Sequence, residues 1–236
     1  MKKKTAKRKR ALIQITKNGP YEVSGDVPLR KQFVISGKDG IPASWADGPA
    51  LRPEEKPYYL CRCGHSSNKP FCDGTHKTVR FHGEETAGQD TYAQLQETTF
   101  GPALDLKDAV KFCAVSLFCH RQGDAWTLTE KSGNKKNKKT AIQEAADCPS
   151  GRLVAALKDG TALEPVFEPG ISLVEDPYRK ASGPLWVKGG IPVKSSKGFS
   201  YETRNRVTLC RCGRSVNKPF CDGSHLPFKD GEKKVL

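Results

Sequence analysis

Apolar and polar residues alternate from Gly19 to Pro28 (GPYEVSGDVP) and again from Gly183 to Pro192 (GPLWVKGGIP). The two stretches share their glycines, their prolines and the valines Val23 and Val187. A period of two between Gly and Pro predicts a strand in each. Elsewhere the pattern changes. Asp105-Leu-Lys-Asp108 places acids ahead of Val110, Phe112 and Val115, which predicts the first turn of a helix. Thr140-x-x-Gln143 has the form of a capping box. With Ile142, Ala145 and Ala146 on one face, it predicts a short helix ending at Cys148-Pro149. The Lys-, Gly- and Asn-rich piece from Lys131 to Lys139 predicts a mobile loop, and Ser44 to Lys56, rich in Pro and acids, predicts another. The longest apolar stretch, Phe112 to Cys119, has eight residues. A membrane span needs about 20, so a transmembrane helix is excluded.

Downstream of each predicted strand lies a nearly identical loop. CRCGHSSNKPFCDGTH (Cys61 to His76) recurs as CRCGRSVNKPFCDGSH (Cys210 to His225), and three of the 16 positions differ. Each copy therefore reads as a strand followed by a Cys/His loop, with Ser44 to Lys56 as the extra length of the first copy. Six of the nine cysteines fall in these loops. Without a secretory signal after the basic N-terminus, metal binding fits them better than a disulfide framework.

Each loop offers three thiols and an imidazole: Cys61, Cys63, Cys72 and His76, then Cys210, Cys212, Cys221 and His225. Zinc fingers commonly pair thiols as C-x2-C, whereas here the first pair is C-x-C and the second is C-x3-H. Division into two pairs suits a two-iron cluster, one iron per pair. Both loops resemble the CDGSH (NEET-type) iron–sulfur proteins, matching C-x-C-x2-[ST]-x3-P-x-C-D-G-[STA]-H throughout, with Ser66 and Pro70 in one copy and Ser215 and Pro219 in the other. The resemblance implies two [2Fe–2S] clusters. Cys61 and Cys63 would hold one iron of the first, and Cys72 and His76 the other; Cys210 and Cys212, and Cys221 and His225, would do likewise for the second. It also implies a monomer that reproduces the family's intertwined dimer internally, with a pseudo-two-fold axis and the strands at Val23 and Val187 in a shared sheet. An imidazole in place of a thiolate raises the potential of such a cluster and makes it sensitive to pH. Asp73-Gly74 and Asp222-Gly223 read as turn-forming pairs. Lys69, Lys218, His65 and His82 read as surface residues.

Cys113, Cys119 and Cys148-Pro149 remain. This C-x5-C…C-P arrangement resembles single-cluster ferredoxins with Ser116 at the second ligand position. The likeness implies a third cluster, [3Fe–4S] or [4Fe–4S]; the competing reading is buried structural thiols. Geometry separates the two. On a continuous helix, residues six apart point about 240° apart, so Cys113 and Cys119 could not share a cluster. A chain that unwinds after Cys113 lets them meet.

The net charge of +14 does not change this picture. Seven of the positive charges lie in residues 1–10, where they read as a solvated tail with weak capacity for nucleic acid. The expected architecture is α+β: a β-rich two-motif CDGSH unit with an inserted small ferredoxin-like α/β segment. Its boundaries are a basic tail (1–12), a first repeat (13–85), a middle domain (86–165) and a second repeat (166–236). The expected function is electron transfer to a redox protein or cluster transfer to an apo-acceptor protein, in the cytoplasm. No catalytic triad, P-loop or dinucleotide fingerprint suggests an enzyme. The alternatives are a zinc-binding interaction module and a redox or pH sensor acting through a partner.

Overall fold

The computed structural model describes residues 10–226, so nearly all of the basic tail lies outside the described residues. The first half of the chain forms β1 (Leu12–Ile15), β2 (Tyr21–Ser24), β3 (Leu29–Ser36), β4 (Pro42–Leu51), β5 (Tyr58–Leu60) and a single turn of helix, α1 (Thr75–Thr78). The middle contributes α2 (Tyr92–Leu95), β6 (Glu97–Phe100), β7 (Asp105–Asp108), α3 (Ala125–Glu130), α4 (Lys135–Asp147) and β8 (Leu153–Ala156). The last part adds β9 (Gly170–Asp176), β10 (Ala181–Lys188), β11 (Val193–Lys194) and β12 (Arg206–Leu209). Among the described residues the molecule is a mixed α and β structure with three sheets and few helices.

Both alternating stretches are strands, β2 and β10, but they do not share a sheet. One sheet runs β11-β1-β2-β5 and the other β12-β10-β9-β3-β4. The pairing is equivalent in the two: β2 is antiparallel to β5 with Tyr21 opposite Leu60, and β10 is antiparallel to β12 with Leu185 opposite Leu209. The exchange occurs one strand further on. β3 leaves the first half to pair in parallel with β9, and β11 returns from the second half to pair in parallel with β1. Strands that cross over, β3 with its neighbour β4 in one direction and β11 in the other, join the halves. The inward faces of both sheets bury one core, in which Ile13, Tyr21, Val23 and Leu60 meet Leu185, Val187, Val193 and Leu209. Each such side chain contributes about 1.5–3 kcal/mol on burial, so the shared core binds the two halves together.

Three local expectations are corrected. Ser44 to Lys56 is not a loop throughout: β4 runs to Leu51 as the edge strand of the second sheet. Its outer face is solvated and its register shifts twice, which accounts for the polar residues and Pro that disguise it. Asp105–Asp108 is the strand β7, not a helix start. Leu104 and Leu106 are both buried, a period of two, and the acids serve as ion-pair partners of Lys158 and Arg152. The Lys131–Lys139 loop is largely the first half of α4. Asn134 caps it by accepting from the Lys136 and Asn137 amides, and Thr140 is interior, donating to the Lys136 carbonyl. The lysines are tolerated because they face water while Ala141 and Ala145 pack on Leu104, Leu106 and Leu153. The helix ends at Cys148, as expected.

The middle segment is a three-stranded sheet, β6-β7-β8, backed by α4, and it leans on the second sheet. Trp45 of β4 stacks on Phe118 at 4.5 Å between centroids and donates from Nε1 to the Asp147 carbonyl. Arg206 of β12, 2 % exposed, donates to the carbonyls of Cys148, Ala145 and Leu153 and pairs with Glu164. Replacing it removes three buried donations and the cation that faces the Glu164 carboxylate. Arg206→Met is expected to lower stability by about 3–5 kcal/mol, read from the shift in the urea unfolding midpoint.

Glu85 ties the chain after the first loop to the second half, accepting from the Ser196 amide and hydroxyl and from the Tyr201 hydroxyl. Burial alone would raise its pKa, but hydrogen bonds from Ser196, Ser195 and Tyr201 outweigh it and hold the carboxyl below the ordinary glutamate value. A lowered folded-state pKa stabilises above the unfolded value, and that contribution is lost as pH falls through the folded one. Stability should therefore drop more between pH 5 and 3 in the parent than in Glu85→Gln, measured by thermal melting across that range.

Candidate metal centres

The two Cys/His loops are built alike. In each, the first cysteine follows its strand and donates its amide to the cis-proline carbonyl, Cys61 to Pro70 and Cys210 to Pro219, both at 2.8 Å. The third cysteine donates back to the strand, Cys72 to Tyr59 and Cys221 to Thr208, both at 2.9 Å. Ser66 and Ser215 donate from Oγ to the carbonyls of Phe71 and Phe220. Asp73 accepts from the Ser67 and Thr75 amides, and Asp222 from those of Val216 and Ser224. Hydrogen bonds from Thr75 and then from Ser67 hold the Asp73 carboxyl well below the usual carboxylate range. Both aspartates thus do the turn-building work expected of them. Lys69 and Lys218 donate from Nζ to the Ser66 and Ser215 carbonyls of their own loops, while His65 and His82 are exposed.

This scaffold sets the donor atoms in twos. Cys61 Sγ lies 3.7 Å from Cys63 Sγ, and Cys72 Sγ lies 3.3 Å from His76 Nδ1. The second loop repeats both distances, for Cys210 with Cys212 and for Cys221 with His225. Two sulfurs about 2.3 Å from one tetrahedral ion stand roughly 3.7 Å apart, so each pair matches one metal ion. Among the described residues no three His, Cys, Asp or Glu side chains gather as a site for a single ion requires. The electrostatics agree with a cationic occupant. Burial, then the neighbouring thiols, pushes up Cys63 and Cys72. Cys221 is pushed up to about 12, chiefly by burial. Cys212 is the exception, held low by a hydrogen bond from Cys210 and by Arg214. Free thiolates are disfavoured here, and a metal that takes their charge relieves the penalty. These donors fit a [2Fe–2S] group in each loop.

Two features escaped the sequence reading, although identity between the copies marks both. The residue between the first two cysteines is an arginine that clamps its loop to the neighbouring strand ends. Arg62 donates to the Gly19 and Thr16 carbonyls, and Arg211 to those of Gly183 and Val174. The glycine after C-x-C is a contact point between the loops. A Cβ on Gly64 would stand 2.5 Å from the Cys212 carbonyl oxygen, and one on Gly213 2.5 Å from that of Cys63. Both glycines have positive φ, +82 and +78. Beside this seam is a cleft of about 490 Å³, lined from both loops by His65, Lys69, Lys180, Arg211, Arg214 and Cys61.

The middle cysteines lie on irregular chain. The polypeptide unwinds after Cys113, with positive φ at Val115 (+56) and Leu117 (+61), and forms a 3-10 turn at Phe118–His120. The condition that lets Cys113 and Cys119 approach is therefore met. Burial, followed by the charges of Cys148 and Cys113, pushes the Cys119 thiol up to about 12. Cys148, at the end of α4, is 7 % exposed, and Cys113 lies beside the Arg152 guanidinium. Ser116 lines a small cavity with Pro149, Arg179 and His225. Thiols that bind different irons of a cubane stand further apart than ligands of one ion, so Cys113 and Cys148, both within electrostatic reach of Cys119, fit such a group.

Comparison with known families agrees with this arrangement. The family described as iron-binding zinc finger, CDGSH type, matches residues 18–77 and 182–226, and the family described as divergent 4Fe-4S mono-cluster matches residues 100–158 between them. No curated protein and no solved structure matches the chain. The chain thus carries two segments that match the CDGSH family with a divergent 4Fe–4S match between them, and these matches support an iron–sulfur protein.

The seam between the loops gives a test. Gly64→Ala and Gly213→Ala each force a Cβ against backbone at positive φ and should cost about 1–3 kcal/mol and lower bound iron. Gly74→Ala has nothing within 4 Å of its Cβ and should show the smaller, purely backbone penalty. Thermal melting and iron content of the three variants decide it.

Proposed function

We propose that this chain carries two [2Fe–2S] clusters, each held by three cysteines and one histidine, and a third cluster of the [3Fe–4S] or [4Fe–4S] type, and that it serves in electron transfer. The observation that carries the reading is the pairing of donors, 3.7 Å and 3.3 Å apart, in both loops. Cys61, Cys63, Cys72 and His76 hold the first group; Cys210, Cys212, Cys221 and His225 hold the second; Cys113, Cys119 and Cys148 hold the third. Bound iron–sulfur groups supply one-electron redox chemistry. The protein's own part is to fix the donors, exclude water and lend positive charge from Arg62, Arg211 and Arg152. Cys113 lies close enough to Cys221 to raise its pKa, which brings the middle site next to the second loop. Adjacent centres support electron transfer, and the basic cleft suits an acidic redox protein as partner.

A second reading, transfer of a [2Fe–2S] cluster to an apo-acceptor protein, is favoured by one observation: Cys72 and His76 of the first loop are only part-buried. In either role the chain is a carrier and not a catalyst, working as a monomer in the cytoplasm. Among the described residues no helix is long and apolar enough to cross a membrane.

The deciding experiment is an absorbance spectrum of protein purified without oxygen, with iron, sulfide and zinc counted per chain. Seven or eight irons with matching sulfide are expected; two clusters alone give about four. Four would remove the third site and leave transfer as the better reading. Zinc without sulfide would overturn both.

A further inference from the structure

The two loops are near-copies in sequence and in internal geometry, yet they sit in opposite surroundings. Gly74 and Gly223 occupy equivalent positions with φ of +88 and +84. A Cβ on Gly74 would meet nothing within 4 Å, whereas one on Gly223 would overlap the side chain of Val115. The contrast extends around them. Asp73 is exposed and Asp222 is buried; Cys72 is part-exposed and Cys221 is 2 % exposed. The contrast is confined to the third cysteine and its turn, since His76 and His225 are both half-buried.

The middle segment supplies contacts that the first loop lacks. Phe112 sits edge-on to Phe220 at 5.1 Å, and Asn217 donates from Nδ2 to the Lys111 carbonyl at 2.7 Å. Val115 also packs with Leu226 and Ala181. Its φ of +56 is a costly conformation for a β-branched residue, of a kind retained where the surroundings require it. Equivalent contacts on the first loop would need a second inserted segment.

We infer that the Val115 loop seals the second CDGSH loop, leaving the first, at Cys72 and His76, as the face on which a thiol-bearing acceptor protein reaches the cluster ligands. This rests on the reading that the loops hold clusters. A thiol is the fitting chemistry, because only a soft donor competes with the thiolate and imidazole already there. The exchange is a substitution: one donor enters as another leaves, the thiol's proton passes to the displaced imidazole, and no electron changes hands. The second loop, closed to such a donor at Cys221, keeps its group.

The test uses the full chain as purified without oxygen, incubated with a ferrous chelator and N-ethylmaleimide. Alkylation of the Cys72 and Cys221 peptides is followed by mass spectrometry. Cys72 should label at least about tenfold faster than Cys221, the protection expected where a packed segment must open first. Val115→Gly removes both the cover and the strained φ, so it should fold and should bring Cys221 close to the Cys72 rate. Val115→Ala, which keeps the backbone demand, should fall between. Equal rates in the parent, or a ratio unchanged in Val115→Gly, would overturn the inference. Iron and sulfide counted on the same sample judge the cluster reading separately: protein without sulfide defeats that reading, while the labelling ratio still decides whether the second loop is sealed.

Discussion

Neither of the two principal sheets closes with strands of its own half. β11 completes the first and β3 the second, each by parallel pairing with a strand from the other end of the chain. This exchange holds the halves face to face, and the arrangement of the sites follows from it. With the sheets in register, the C-R-C turns meet across the seam, where Gly64 and Gly213 leave no room for a side chain. Tyr21 extends the same dependence, lying in the first sheet while donating its hydroxyl to the Cys210 carbonyl of the second loop at 2.8 Å. The loops are therefore not appendages on two small domains. They form opposite walls of one interface.

Rigidity at that interface comes from backbone anchoring rather than from the donors themselves. The arginines between the paired cysteines reach strand-end carbonyls, and the aspartates and serines tie each turn to itself. Donor positions are thus set by hydrogen bonds that do not involve sulfur or imidazole. Such preorganisation limits the conformational entropy lost when a group is bound.

The two Cys/His loops were legible in the sequence as CDGSH motifs, because the spacing of Cys and His within 16 residues is the motif and its repetition removes chance. The strands β2 and β10 were legible for a related reason, since an alternating pattern bounded by Gly and Pro survives any tertiary context. What failed was local pattern under tertiary influence. β4 is an edge strand exposed at both Ser44 and Asp47, on opposite faces, so its polarity mimicked a loop. The acids of β7 resembled a helix start but answer to Arg152 and Lys158, which are remote in sequence. The lysines of α4 hid a helix held by its apolar face alone. The crossing of β3 and β11 left no trace, because pairing partners 142 and 180 residues apart are not encoded in either strand's own period.

A protein assembled from two identical chains repeats every substitution on both sides of its axis, so its two sites must change together. Here the equivalent halves lie on one chain, with 149 residues between the first cysteines of the two loops. That covalent union frees each loop from the other's history. The insert can press against Gly223 without burdening Gly74, and His65 can differ from Arg214. Broken symmetry is open to such a chain by ordinary point mutation, one loop at a time, and a homodimer of the same fold has no equivalent route.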